Sequence, residues 1–281
     1  MPPAIESIDH QGLPALRLTT SGGARALISF FGGQVLSWVP AAGHEWLYLS
    51  DRARLDGQQA IRGGIPICFP QFAERGPLAK HGYARLVEWT LADQQAGRDF
   101  AQVTLTRDWR AESPWTAPCQ TEITVSLADD RLDVELEVAN QGDAPLTLTL
   151  ALHTYLQVDE VEEMRLHGLY GGDYEDATQS GEVRRETGDV LMVDREVDRL
   201  YRSVQGPLLL RDGDRALGIH GEGFPDVVVW NPWEVKCAAL TDMPPDGFRH
   251  MLCVEAAHAA TPLAIDAGEI WWGRQTLLAL R

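Results

Sequence analysis

The chain has 281 residues, 44% of them hydrophobic, and carries a formal net charge of −17. That is enough apolar material for a sizeable core, and the charge argues against a nucleic-acid partner. An anionic ligand would also be repelled at long range, but screening confines that field to roughly 8 Å at physiological ionic strength, so a local pair of cations can outweigh it.

The first residues, Met1-Pro2-Pro3-Ala4-Ile5-Glu6, show neither the basic n-region nor the apolar h-region of a signal peptide. No apolar run reaches the roughly 18 residues that would span a membrane. Cys68, Cys119, Cys237 and Cys253 are scattered without a CxxC pair and read as reduced, small hydrophobic residues. The expectation is a cytoplasmic monomer with no membrane or nucleic-acid partner, folded as one domain over residues 1–281, with two smaller β domains as the alternative that length alone leaves open.

The segment from Arg62-Gly63-Gly64-Ile65-Pro66 through Phe69-Pro70-Gln71-Phe72 to His81-Gly82-Tyr83-Ala84-Arg85 is bent by glycine and proline. Gly63 and Gly64 permit a turn or close approach of the backbone. Pro66 and Pro70 forbid a regular helix. The segment therefore reads as a loop that holds two arginines and a histidine in place, side chains suited to an anionic or polyhydroxylated ligand.

Beyond it the chain alternates with period two. Gln102–Arg107, Glu122–Leu127 and Arg131–Val138 each interleave apolar with polar residues, as a strand with one buried face does. Asp129-Asp130 predicts a hairpin between the last two, and Asn140-Gln141-Gly142-Asp143 turns the chain into the next strand. There Leu146, Leu148, Leu150, Leu152 and Leu156 share one face, and Thr147, Thr149, Ala151, His153 and Tyr155 the other. The leucines belong to the core, so His153 lies on the wall of a cleft or within a half-polar sheet face. Asp159 to Glu163 is an acidic, solvated stretch. Val197-Asp198-Arg199-Leu200-Tyr201 sets an acid beside a base, and Asp226 to Trp233 is a strand ending in two tryptophans around Asn231. Finally, Met251 to Ala257 places Glu255 in an apolar run, where a carboxylate needs a cationic partner or a raised pKa. Many short strands with turns between them, and no long segment of period 3.6, predict an antiparallel sandwich or barrel.

No HExxH pattern, P-loop, dinucleotide fingerprint or G-x-S-x-G elbow is present. Taken together, the segments resemble the glucose-6-phosphate 1-epimerase (hexose-6-phosphate mutarotase) family within the aldose 1-epimerase superfamily. The motifs run in order from Phe31-Gly32-Gly33-Gln34-Val35-Leu36-Ser37-Trp38 through Ile61-Arg62-Gly63-Gly64-Ile65-Pro66 and His81-Gly82-Tyr83-Ala84-Arg85. Leu152-His153-Thr154-Tyr155, Val197-Asp198-Arg199-Leu200-Tyr201, Val229-Trp230-Asn231-Pro232 and Val254-Glu255 complete them. The resemblance implies an all-β galactose mutarotase-like β-supersandwich, mostly antiparallel and with few short helices. It implies His153 and Glu255 as the catalytic pair, Asp198 in the site, Arg62 and Arg85 toward a phosphate, and His81, Gln71 and Trp230 in the cleft. Neither metal nor organic cofactor is required. One departure is Ala73, where such proteins usually carry glycine after the Phe.

Opening a hemiacetal removes a proton from the anomeric hydroxyl and delivers one to the ring oxygen. A carboxylate and a histidine on opposite sides of the ring can do both, Glu255 as base at O1 and His153 as acid at O5. Asp198 would bind a sugar hydroxyl or orient His153. The expected function is interconversion of α and β anomers of a hexose 6-phosphate, glucose 6-phosphate first. The rival readings are a non-catalytic carbohydrate-binding or regulatory protein, a glycoside hydrolase using Asp198 as second carboxylate, and a metal-dependent cupin.

Overall fold

The structure is a computed structural model and describes residues 3–110, 115 and 117–280. The first four strands, Ala4–His10, Leu13–Thr19, Arg25–Ser29 and Val35–Val39, form an antiparallel sheet in chain order. Its first hairpin turns at Gln11 and Gly12, both at positive φ, the arrangement whose twist matches the flanking strands.

A nine-stranded sheet holds the alternating segments. Thr90–Ala96, Ala101–Trp109, Cys119–Leu127 and Arg131–Asn140 pair consecutively, and Ile270–Leu280 then joins Arg131–Asn140 to the hairpin Leu208–Asp212 and Arg215–Glu222. The hairpin expected at Asp129-Asp130 is present, with Leu127 opposite Leu132. Leu132, Val134, Leu136 and Val138 are buried while their neighbours face outward, and each such side chain contributes about 1.5–3 kcal/mol.

The eight-stranded sheet carries the site. Its order is Glu182–Arg185, Asp173–Asp176, Val197–Tyr201, Asp226–Asn231, Met251–Ile265, Leu146–Leu152 and Ile67–Cys68, with Tyr155–Gln157 also pairing Met251–Ile265. The leucine face of Leu146–Leu156 is buried, as its parity requires, in a core that includes Leu16 and Ile28 from the first sheet and Leu277 from the nine-stranded one. One face of the eight-stranded sheet is thereby left to build a cleft. Helix is confined among the described residues to Trp233–Ala238 and three short 3₁₀ turns. No helix is long and apolar enough to cross a membrane.

Candidate active site

Strand register brings the site together. Leu152 pairs with Ala256 and Tyr155 with Cys253, one register on both sides of the break at His153-Thr154, so His153 stands opposite Glu255. On the far side of that strand Glu255 pairs with Val228 and Cys253 with Trp230. Trp230 in turn pairs with Asp198. Paired residues share a face, so two adjacent rows form the cleft floor. One runs His153, Glu255, Val228; the next runs Tyr155, Cys253, Trp230, Asp198.

The Gly63-Gly64 loop closes over the end of these rows. Tyr155 N–H donates to the Gly64 carbonyl and His153 N–H to that of Pro66. Gly64 has φ +61, and a Cβ there would lie 2.1 Å from the Val35 carbonyl oxygen, so only glycine lets the loop that carries Arg62 pack this closely against the Val35–Val39 strand. Farther along, Ala73 adopts φ +48 and His81 φ +63. The usual glycine would sit at Ala73 without strain; alanine holds the same left-handed turn at a cost.

His153 Nε2 lies 3.5 Å from Glu255 Oε1, and the carboxylate is only 1% exposed. The two groups are cross-strand neighbours, which corrects the expectation that they would flank the sugar ring from opposite sides. O1 and O5 are both bonded to C1, and an adjacent pair can serve that one edge. Burial drives the Glu255 carboxyl well above its ordinary value, reinforced by Asp198. Burial likewise drives His153 well below its own, with His81, Arg85 and Arg62 adding to it. Both shifts favour a carboxylic acid beside a neutral imidazole. Moving one proton between them gives the carboxylate and imidazolium that ring opening needs, so either arrangement holds one proton.

His81 sits edge-on to His153 with ring centroids 5.4 Å apart. Its Nδ1 accepts from Ala73 N–H at 3.3 Å and lies 3.2 Å from Cys68 Sγ. Burial, then Arg85, Lys80 and Arg62, lower its pKa to about 3. It is therefore neutral, with its proton on Nε2 as a hydrogen-bond donor.

Around this pair the cleft, of about 270 Å³, is lined by Arg62, Lys80, Arg85 and Lys236, with His81, Tyr155, Asp198 and Trp230. Its volume lies near the lower end for small-molecule sites and suits a monosaccharide. Arg85 makes a hydrogen bond to the Lys80 carbonyl at 3.1 Å and leaves a buried Nε unpartnered. Asp198 lies 3.8 Å from Lys236, and burial raises its pKa; no hydrogen bond to His153 is found among the described residues. Trp230 meets His153 edge-on at 6.0 Å. Gln71 does not line the cleft. Its buried amide donates to the Ala73 and Leu78 carbonyls and accepts from Leu78 N–H, so it shapes the loop instead.

Tyr155, Lys80 and Lys236 also line the cleft, although none was among the expected site residues. Tyr155 shares the parity of His153, a signal that was legible; Lys236 arrives on the short helix after Trp233 and could be placed only by the fold. His153, Cys253 and Glu255 each bring a donor atom within 4.8 Å of the others. Tetrahedral zinc needs donors about 3.5 Å apart, and the positive charges of Arg62 and Arg85 already act on these side chains, Arg62 on His153 and Cys253 and Arg85 on His153 and Glu255, so the set fits a metal poorly.

The nearly all-antiparallel architecture is the galactose mutarotase-like fold. The aldose 1-epimerase pattern matches residues 14–277. A proposed glucose-6-phosphate 1-epimerase of Cenchrus ciliaris is 34% identical, the match covering 96% of this chain and 85% of the relative. One from Escherichia coli is 30% identical over 84% of this chain and 80% of the relative. Among solved structures, a proposed mutarotase from Salmonella typhimurium superposes with a TM-score of 0.90 at 23% identity, covering 99% of this chain and 94% of its own. The chain belongs to the aldose 1-epimerase family and is an isomerase.

Proposed function

We propose that this isomerase interconverts the α and β anomers of hexose 6-phosphates, glucose 6-phosphate foremost. The observation that carries the reading is the His153–Glu255 pair, held 3.5 Å apart in a cleft where four cationic side chains gather within a protein of net charge −17. Arginine suits a phosphate because its guanidinium donates parallel hydrogen bonds, and the unpartnered Nε of Arg85 is a buried donor in want of an acceptor.

In the proposed mechanism Glu255 takes the proton from O1 as His153 gives one to O5. The C1–O5 bond breaks and C1 becomes a carbonyl. Rotation about C1–C2 exposes the other face, O5 attacks C1 again as His153 takes its proton back from the O5 hydroxyl, and Glu255 returns its proton to O1. Each transfer contributes about 10²- to 10⁴-fold. In this reading His81 Nε2–H and Asp198 hold sugar hydroxyls and Trp230 is an apolar wall, which their positions in the cleft lining support. The four free cysteines suit a reducing compartment, and a monomer in the cytoplasm is part of the proposal.

The test compares anomer exchange on glucose 6-phosphate and free glucose, for wild type and Arg85→Ala. Wild type should prefer the phosphate ester and the variant should lose that preference. A wild type indifferent to the phosphate would sink the assignment.

A further inference from the structure

The imidazole of His153 is held in an unusual way. Its Nδ1 has no hydrogen-bond partner beyond its own backbone, whereas an acid–base histidine is ordinarily oriented by a partner on its second nitrogen. Packing fixes the ring instead. Tyr155 stacks on it with centroids 4.8 Å apart and planes 11° from parallel, and His81 and Trp230 meet it edge-on.

Tyr155 is itself tied to the phosphate end of the cleft. Its hydroxyl accepts from Arg62 Nη1 at 2.9 Å. Arg62 is braced from behind by Asp242, whose Oδ2 accepts from Nε at 3.2 Å and lies 3.1 Å from Nη2. Guanidinium has five N–H groups. Three are used in these contacts, and two remain to meet an anion. Both ionic partners are largely buried, with side chains 22% and 19% exposed, so Arg62 cannot turn to an anion without loading Tyr155 and, through the stack, His153.

We infer that Arg62 couples phosphate binding to the orientation of His153 through Tyr155, so that a phosphate dianion supplied separately from the sugar activates turnover of free glucose. This rests on the hexose 6-phosphate reading and deepens it: the phosphate is an effector of the chemical step as well as a handle. Binding energy from a non-reacting part of a substrate can be used at the reacting centre, and here a chain of contacts connects the two.

The experiment measures anomer exchange of free glucose by the intact protein against added phosphite or phosphate dianion. The enzyme-free rate at each concentration is subtracted, because these anions catalyse mutarotation themselves. In parallel, the same anions are titrated as inhibitors of glucose 6-phosphate turnover. Wild type should be activated on free glucose by roughly fivefold or more, the ordinary scale of coupling between sites. Tyr155→Phe keeps the stacked ring and removes the hydroxyl; it should lose the activation while the anion still competes with glucose 6-phosphate. Equal activation in Tyr155→Phe would refute the route through Tyr155. Competition without activation of wild type would refute the coupling and leave the substrate reading standing. An anion that does not even compete would overturn the substrate reading as well. Should Tyr155→Phe not fold, the His153 imidazole resonances of wild type decide, since they must shift on anion binding.

Discussion

Replacing Glu255 by glutamine separates the acid–base chemistry from the fold. Glutamine keeps the shape and polarity of the side chain but neither accepts nor returns a proton. In this cleft no other group stands in its place: Asp198 sits in the neighbouring row beside Lys236, and Glu255 is 1% exposed, so water has little access. The loss in kcat should therefore lie toward the upper part of the range for a general base, about 10³- to 10⁴-fold, or about 4–5.5 kcal/mol of barrier. Stability should move the other way. The Glu255 carboxyl is raised in the folded protein by burial, so its contribution is most favourable below the ordinary carboxylate pKa and is lost as pH rises through the folded value. Glu255→Gln removes that loss, and its melting temperature relative to wild type should climb with pH. The assays are anomer exchange by magnetisation-transfer NMR and thermal denaturation at several pH values. A folded variant retaining more than a tenth of the wild-type rate would refute Glu255 as the base; a relative stability that falls with pH would refute its raised pKa.

Arg62→Ala should lower kcat/KM on glucose 6-phosphate by about 10- to 150-fold, the worth of one charge-assisted hydrogen bond of about 1.5–3 kcal/mol, with a smaller effect on free glucose; equal losses on both sugars would make Arg62 structural only. The active pair holds one proton, and burial pushes His153 well below 6.5, so kcat/KM on free glucose should hold as pH falls through 6.5, and a decline centred there would contradict the buried, neutral imidazole. Ala73→Gly relieves an alanine at φ +48; strain of about 1–2 kcal/mol exceeds the added backbone entropy of about 0.5–1 kcal/mol, so the variant should melt at or above the wild-type temperature.

The sheet faces were legible because a strand of period two writes its burial into residue parity. Leu146 to Leu156 announced both a core face and the face that bears His153, and the turn at Asp129-Asp130 foretold the pairing of Glu122–Leu127 with Arg131–Val138. Glu255 stood out as a carboxylate among apolar neighbours. What parity cannot carry is register between distant strands. That His153 lies beside Glu255 follows from pairings between segments a hundred residues apart, and the expectation of groups flanking the ring came from reaction chemistry alone. Gln71 was misplaced for a related reason: a loop residue beside a cleft can satisfy its amide with its own loop, which only backbone geometry reveals. Asp242 lies 180 residues from Arg62, and no local pattern marks it as that residue's brace.

The most direct measurement is the α/β exchange rate of glucose 6-phosphate with wild-type protein, set against free glucose under the same conditions. Acceleration that is markedly greater for the phosphate ester is the expected result. No acceleration with any hexose 6-phosphate or free aldose, while sugar binding remains measurable, would contradict it and leave a cleft that binds without catalysing.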